Sequence, residues 1–217
     1  MKRASKPPEP LLEFLEVMRR LRADCAWKRG QTHRSLARYL LEETYETLEA
    51  IDTGDATGDW EHLREELGDL LLQVYFHAVI AEETGEFTID DVARDATEKM
   101  YRRNPHVFGS GSAASGTAAE INEVWEAIKA SEKQRTSVTD GLPPTLPALL
   151  YADKVLDRLA RQPEVELVGT PAPDGDDDPT PDPAHELGER LLALVAEARA
   201  SGVDAEQALR DAVRRRL

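Results

Sequence analysis

Two acidic signatures, about one helical hairpin apart, constrain this chain more than any other feature. The first is Glu42-Glu43-Thr44-Tyr45-Glu46 and the second is Glu65-Glu66-Leu67-Gly68-Asp69. On a helix, residues three or four apart share a face. Glu43 therefore projects with Glu46, and Glu66 with Asp69. Between the signatures lies Asp52-Thr53-Gly54-Asp55-Ala56-Thr57-Gly58-Asp59, which reads as a turn. If the flanking helices pack antiparallel, the four carboxylates meet in one patch. Buried like charges repel one another unless something cationic neutralises them. Oxygen donors without thiolate or imidazole suit Mg²⁺ or Mn²⁺. The pattern thus predicts a helical magnesium site able to hold a polyphosphate. One acidic pair at this spacing is usually a solvated face. Two pairs, each inside a long apolar pattern and joined by a turn, are harder to read that way.

The apolar spacing predicts helices around these signatures. Leu11, Leu12, Leu15, Met18 and Leu21 form a stripe that predicts a first helix over about 10–24. Cys25 to His33 reads as a loop. Thr32 or Ser35 caps a second helix running to about Asp52, with Leu41, Tyr45 and Leu48 on a core side. Trp60 opens a third, which ends near Glu83 with Gly85 as its stop. Its run from Leu70 to Ile80 is apolar nearly all round, as in a central helix. Thr88-Ile89-Asp90-Asp91 is a capping box with Asp in place of Glu. It starts a fourth helix that Asn104-Pro105 ends. Further helices are predicted over about 117–133, 146–161, 184–200 and 204–216. Residues 169–183 hold Asp174, Asp176, Asp177 and Asp178 among prolines, and read as a linker or loop.

Composition narrows the function. The formal net charge of −15 argues against a general nucleic-acid binder, which carries a basic footprint. It does not argue against nucleotides, because a bound magnesium ion reverses the local sign. Cys25 is the only cysteine, so no internal disulfide forms. No apolar run is long enough to span a membrane and the start carries no secretory apolar core, so a cytoplasmic protein without a membrane partner is expected.

With these residues laid out, the chain resembles the MazG family. The likeness rests on Trp27, Gln31-Thr32-His33, the stretch from Tyr39 to Glu46, the stretch from Glu65 to Val74, Phe76-His77-Ala78, Lys99-Met100-Tyr101-Arg102-Arg103 and Pro105-His106-Val107-Phe108. Trp125 and Lys129 add to it. The resemblance covers residues 9 to about 160 and implies an all-α four-helix bundle that works as a homodimer. It also implies magnesium-dependent cleavage of nucleoside triphosphates to monophosphate and pyrophosphate, a house-cleaning of the nucleotide pool. Carried over residue by residue, Glu43, Glu46, Glu66 and Asp69 are metal ligands, Lys99 and Arg103 contact phosphate, and Trp125 lies near the nucleotide. Two magnesium ions would clamp the attacking and leaving oxygens. Glu42 or Glu65 would serve as the base that orients water, or would have an outer or surface role. Trp125 could equally fill the core, and Lys99 with Arg103 could be an ordinary basic face.

The sequence departs from that family in two places. Its loop reads Cys25-Ala26-Trp27-Lys28 where the family commonly has Cys-Pro-Trp-Asp. The tail also looks like half of a second copy: Glu186-Leu187-Gly188-Glu189-Arg190-Leu191-Leu192 resembles Glu66-Leu67-Gly68-Asp69-Leu70-Leu71-Leu72, and nothing there matches the Glu43/Glu46 helix. The expected organisation is a catalytic helical domain over 9–135, a connecting helix within 136–168, an acidic Pro-rich linker over 169–183, and a remnant of a second domain over 184–217. The alternative reading is a catalytically weakened nucleotide-binding regulator.

Overall fold

The computed structural model describes residues 9–109, 116–132, 137–161 and 182–216. Within them the regular elements are helices throughout, in line with the all-α expectation. The chain divides into two compact units, Met1–Trp125 and Glu126–Leu217.

The first unit is built on four long helices. Helix α1 spans Pro10–Asp24, α3 His33–Thr57, α4 Glu61–Thr84 and α5 Ile89–Arg103. Their starts follow local chemistry. Pro10 opens α1 at a position where its missing N–H costs nothing. Thr32 caps α3 in a reciprocal box with Ser35 rather than with an acidic residue. Thr88 and Asp91 do the same for α5. Gly58 (φ +78°) and Gly85 (φ +73°) end α3 and α4 in the left-handed region that glycine enters without steric cost.

Helices α3 and α4 form the hairpin that the acidic signatures require. Its turn is shorter than the sequence suggests. Residues 52–57 are not a turn but the last helical turns of α3, whose Thr57 hydroxyl donates back to the Thr53 carbonyl at 2.8 Å. Gly54 inside this segment is a packing glycine. A Cβ there would lie 2.6 Å from Cζ3 of Trp60, so its absence lets the indole close over the hairpin end. Two stretches expected as loop or helix end also coil: α2 is Ala26–Arg29 and α6 is Pro105–Phe108.

Leu15 and Met18 of α1, Leu36 of α3, and Tyr75, Phe76, Val79 and Ile80 of α4 form the buried core. Helix α4 is the central helix: it supplies Tyr75, Phe76, Val79 and Ile80 to this core, more than α1 or α3. Arg19 pairs with Glu82, and Arg22 with Glu83, tying α1 to the C-terminal half of α4. The Arg22 guanidinium also donates to the Gln31 carbonyl at 2.9 Å, which holds the chain between α1 and α3. Leu41, Tyr45 and Leu48 are not core. Leu41 is 58% exposed and Tyr45 43%. The seam toward α4 is taken instead by Leu36, Thr47, Ala50 and Gly54, whose small members let the helices approach closely. Leu67 and Val74 of α4 are exposed as well.

Helix α7 (Ala118–Ser131) carries the boundary between the units. The second unit contains α8 (Ala148–Ala160), α9 (Pro183–Ala200) and α10 (Ala205–Arg214), packed on one another. Arg199 of α9 bridges Asp153 and Asp157 of α8. Arg158 donates to the Asp140 carbonyl at 2.8 Å and so holds the turn that Gly141 (φ +70°) makes possible. The expected acidic linker, apart from its last two residues, and residues 110–115 lie outside the described residues.

Candidate metal and nucleotide site

The α3–α4 hairpin brings three of the four predicted metal ligands into one cluster. Carboxylate oxygens of Glu43, Glu46 and Glu66 all lie within 4.8 Å of one another. The helical register produces this directly. Glu43 and Glu46 are one turn apart on α3, and the antiparallel partner presents Glu66 from α4. Glu66 is the buried member at 8% exposure, Glu43 is half-buried and Glu46 faces solvent. Just beyond the cluster, the buried Thr47 hydroxyl donates to the Glu43 carbonyl at 2.7 Å, a bond within α3 that keeps this polar side chain satisfied in the seam.

The three carboxylates crowd like charge into a partly buried seam. Burial pushes the Glu43 carboxyl above its ordinary value. The charge of Asp69 adds to that, followed by the charge of Glu46, a hydrogen bond with Glu46 and the charge of Glu66. Asp69 is therefore close enough to act on Glu43, although the tight group consists of the other three. The donor set is all carboxylate oxygen, which fits a hard divalent cation such as Mg²⁺ or Mn²⁺ and does not select zinc.

The remaining predicted residues fall into two groups. Glu42 and Glu65 are exposed and stand outside the trio, each adjacent in sequence to one of its members. Lys99 is exposed on α5. Arg103, one turn further along α5, is only 9% exposed, and its guanidinium lies 5.1 Å from the ring centre of Trp125. That cation–π distance makes the two side chains one unit. On α9, the echoed Glu186 and Glu189 are exposed and, among the described residues, join no metal-competent group.

Several features were not legible beforehand. His62, one turn before Glu66 on α4, places its Nε2 2.9 Å from Glu66 Oε1. His33 and His77 stack with planes 3° apart and their Nδ1 atoms 2.7 Å from each other. Burial, then the neighbouring His33, holds the His77 imidazole below its ordinary pKa. The ammonium of Lys28 lies 5.4 Å from the ring centre of Trp27 and 5.2 Å from that of Phe76. The contact with Phe76 links α2 to α4. The spacing of His62 and Glu66 was readable in the sequence, but nothing marked it out from any other i, i+4 pair.

Comparison with known proteins adds an independent line. Residues 31–108 match the MazG nucleotide pyrophosphohydrolase domain. That segment includes both acidic signatures, Lys99 and Arg103, and stops short of Trp125. The nucleoside triphosphate pyrophosphohydrolase/pyrophosphatase MazG of Thermotoga maritima is 39% identical over 94% of this chain and 81% of its own length. An uncharacterised 26.1 kDa protein of Streptomyces cacaoi is 43% identical over 95% of this chain and 79% of its own. The nucleoside triphosphate pyrophosphohydrolase of Mycobacterium tuberculosis is 41% identical over 96% of this chain, which spans 56% of that protein.

Proposed function

This chain belongs to the MazG nucleotide pyrophosphohydrolase family, and from that premise we propose that it splits nucleoside triphosphates into monophosphate and pyrophosphate with Mg²⁺ or Mn²⁺ held by Glu43, Glu46, Glu66 and Asp69. The observation that carries this reading is the meeting of Glu43, Glu46 and Glu66 from two helices inside the matched segment. Carboxylates at such distances favour a divalent cation between them. Bound there, the ion supplies charge neutralisation for the triphosphate and lowers the pKa of a coordinated water.

The protein's own groups do the rest. Glu42 or Glu65, exposed beside the ligands, orients the attacking water and takes its proton. Lys99, exposed on α5, reaches the phosphates and offsets the charge that grows on the pyrophosphate leaving group. Arg103 does the same from a guanidinium aligned by Trp125, and Trp125 thereby lies beside the nucleotide. The partner is thus a nucleoside triphosphate. The net charge of −15 disfavours a polyanionic nucleic acid away from the metal site.

A homodimer completes the reading. Leu41, Tyr45 and Leu48 on α3, with Leu67 and Val74 on α4, expose an apolar surface on the hairpin that carries the acids. A second copy covering that face would remove this surface from water. The test is a panel of standard and modified nucleoside triphosphates assayed for pyrophosphate with Mg²⁺ and with EDTA. Pyrophosphate release that needs the metal and is lost in Glu43→Ala and Asp69→Ala supports the proposal. Magnesium-dependent nucleotide binding without monophosphate formation would mean a regulatory binder instead.

A further inference from the structure

We infer that His62 is a positioning residue for the metal site: its imidazole holds one oxygen of Glu66 so that the other is presented to the ion. The inference rests on the carboxylate site proposed above. Glu66 is the one buried member of the trio and sits beside two like-charged groups. Left to itself, such a carboxylate would rotate toward water, since burial beside like charge is costly. His62 lies one turn earlier on α4, on the same face. Its Nε2 is 2.9 Å from Glu66 Oε1, while its side chain remains 49% exposed. The imidazole thus touches the buried carboxylate while itself staying half in water.

His62 is not itself placed as a ligand. The group of atoms that lie mutually within 4.8 Å contains Glu43, Glu46 and Glu66 and does not include His62. The contact is an ion-pair approach of the imidazole to one oxygen of Glu66, which leaves the second oxygen to the ion. That is how groups outside a coordination shell tune metal sites, and their removal typically weakens metal binding by about 10- to 100-fold.

The experiment measures metal affinity directly, with Mn²⁺ as the probe. Mn²⁺ binding to the full chain is titrated by electron paramagnetic resonance in wild type, His62→Ala, His62→Gln and Glu66→Gln, with melting in EDTA as the check on folding. The expected result is about a 10-fold or greater loss of Mn²⁺ affinity in His62→Ala. His62→Gln, whose amide can still donate to the carboxylate, recovers most of it, and the melting temperatures in EDTA stay alike. In activity assays the magnesium concentration for half-maximal rate rises, while the rate at saturating magnesium changes little.

Wild-type affinity in His62→Ala, or no recovery in His62→Gln, overturns the inference while leaving the carboxylate site intact. So does a directly bonded nitrogen coupling in the spectrum of bound Mn²⁺, which would make His62 a ligand. If wild type and Glu66→Gln bind Mn²⁺ equally poorly, the carboxylate site itself fails and takes the inference with it.

Discussion

Replacing Glu43 with Gln should make the metal-free protein more stable and the metal-loaded protein unresponsive. The side chain keeps its size and its capacity to hydrogen-bond Glu46, so the change is close to the removal of one charge. Two carboxylates stand within 4.8 Å of Glu43, and unit charges at that distance repel by about 0.9 kcal/mol in water and about 3.5 kcal/mol at an effective dielectric constant near 20. Glu43 is half-buried but Glu46 faces water, so the lower figure is the better guide. Relief from both neighbours is then worth about 2 kcal/mol, or a rise of about 4–8 °C in melting temperature for a chain of this size. Magnesium at about 100 times its dissociation constant stabilises wild type by about 2.7 kcal/mol, and this increment should vanish in the variant. The pH dependence has a definite sign. The folded carboxyl of Glu43 titrates above the ordinary value of 4.5. Its contribution is therefore fully present below 4.5 and is lost as pH rises through the raised value. Metal-free wild type should lose stability over that interval and the variant should not. The assay is thermal melting in EDTA and in magnesium from pH 4 to pH 8, followed by circular dichroism. A variant that melts below wild type in EDTA, or that gains as much as wild type from magnesium, refutes the reasoning.

Other outcomes follow from the same geometry. Thr88→Ala removes the cap of α5 and should cost about 1 kcal/mol in a denaturant titration. Asp91 is held down to about 2 by its hydrogen bonds to the Thr88 hydroxyl and backbone and by its bond to Arg94. Its contribution is present above the ordinary value of 3.8 and lost as pH falls through about 2, so acid melts of wild type and Asp91→Asn should converge there. Gly54→Ala places a Cβ 2.6 Å from Cζ3 of Trp60 and should destabilise by about 1–3 kcal/mol, outweighing a gain of about 1 kcal/mol in helix propensity. The added substitution Trp60→Ala should recover that propensity gain, as read by thermal melting. Leu41→Glu with Tyr45→Glu should leave helicity unchanged and shift the mass measured by light scattering from two chains to one.

Much of the first unit was legible because its signals are local. Thr88 with Asp91 marks the start of α5, and Gly85 the end of α4, through chemistry contained within four residues. The trio of acids was legible because helical spacing and one hairpin suffice to predict it. What escaped depends on which neighbour an element meets. Asp52-Thr53-Gly54-Asp55 has turn composition, yet Gly54 serves close packing against Trp60, and the helix runs on to Gly58. Leu41, Tyr45 and Leu48 are apolar at helical spacing, which identifies a face but not what covers it. The Arg103–Trp125 pairing joins α5 to α7 across a long sequence separation that no periodicity reports. His62 sits at ordinary helical spacing from Glu66, and only the burial of that carboxylate gives the pair meaning.

Helix α4 is held by opposite electrostatics at its two ends. Near its start, Glu66 faces acids of α3, whereas near its finish Glu82 and Glu83 grip Arg19 and Arg22 of α1. Dissolved salt screens attraction and repulsion alike. Added sodium chloride therefore eases the crowded beginning of the rod while it slackens the fastened tail. One continuous helix thus tightens at one extremity and loosens at the other, and ionic strength becomes a lever on where along its length the hairpin breathes.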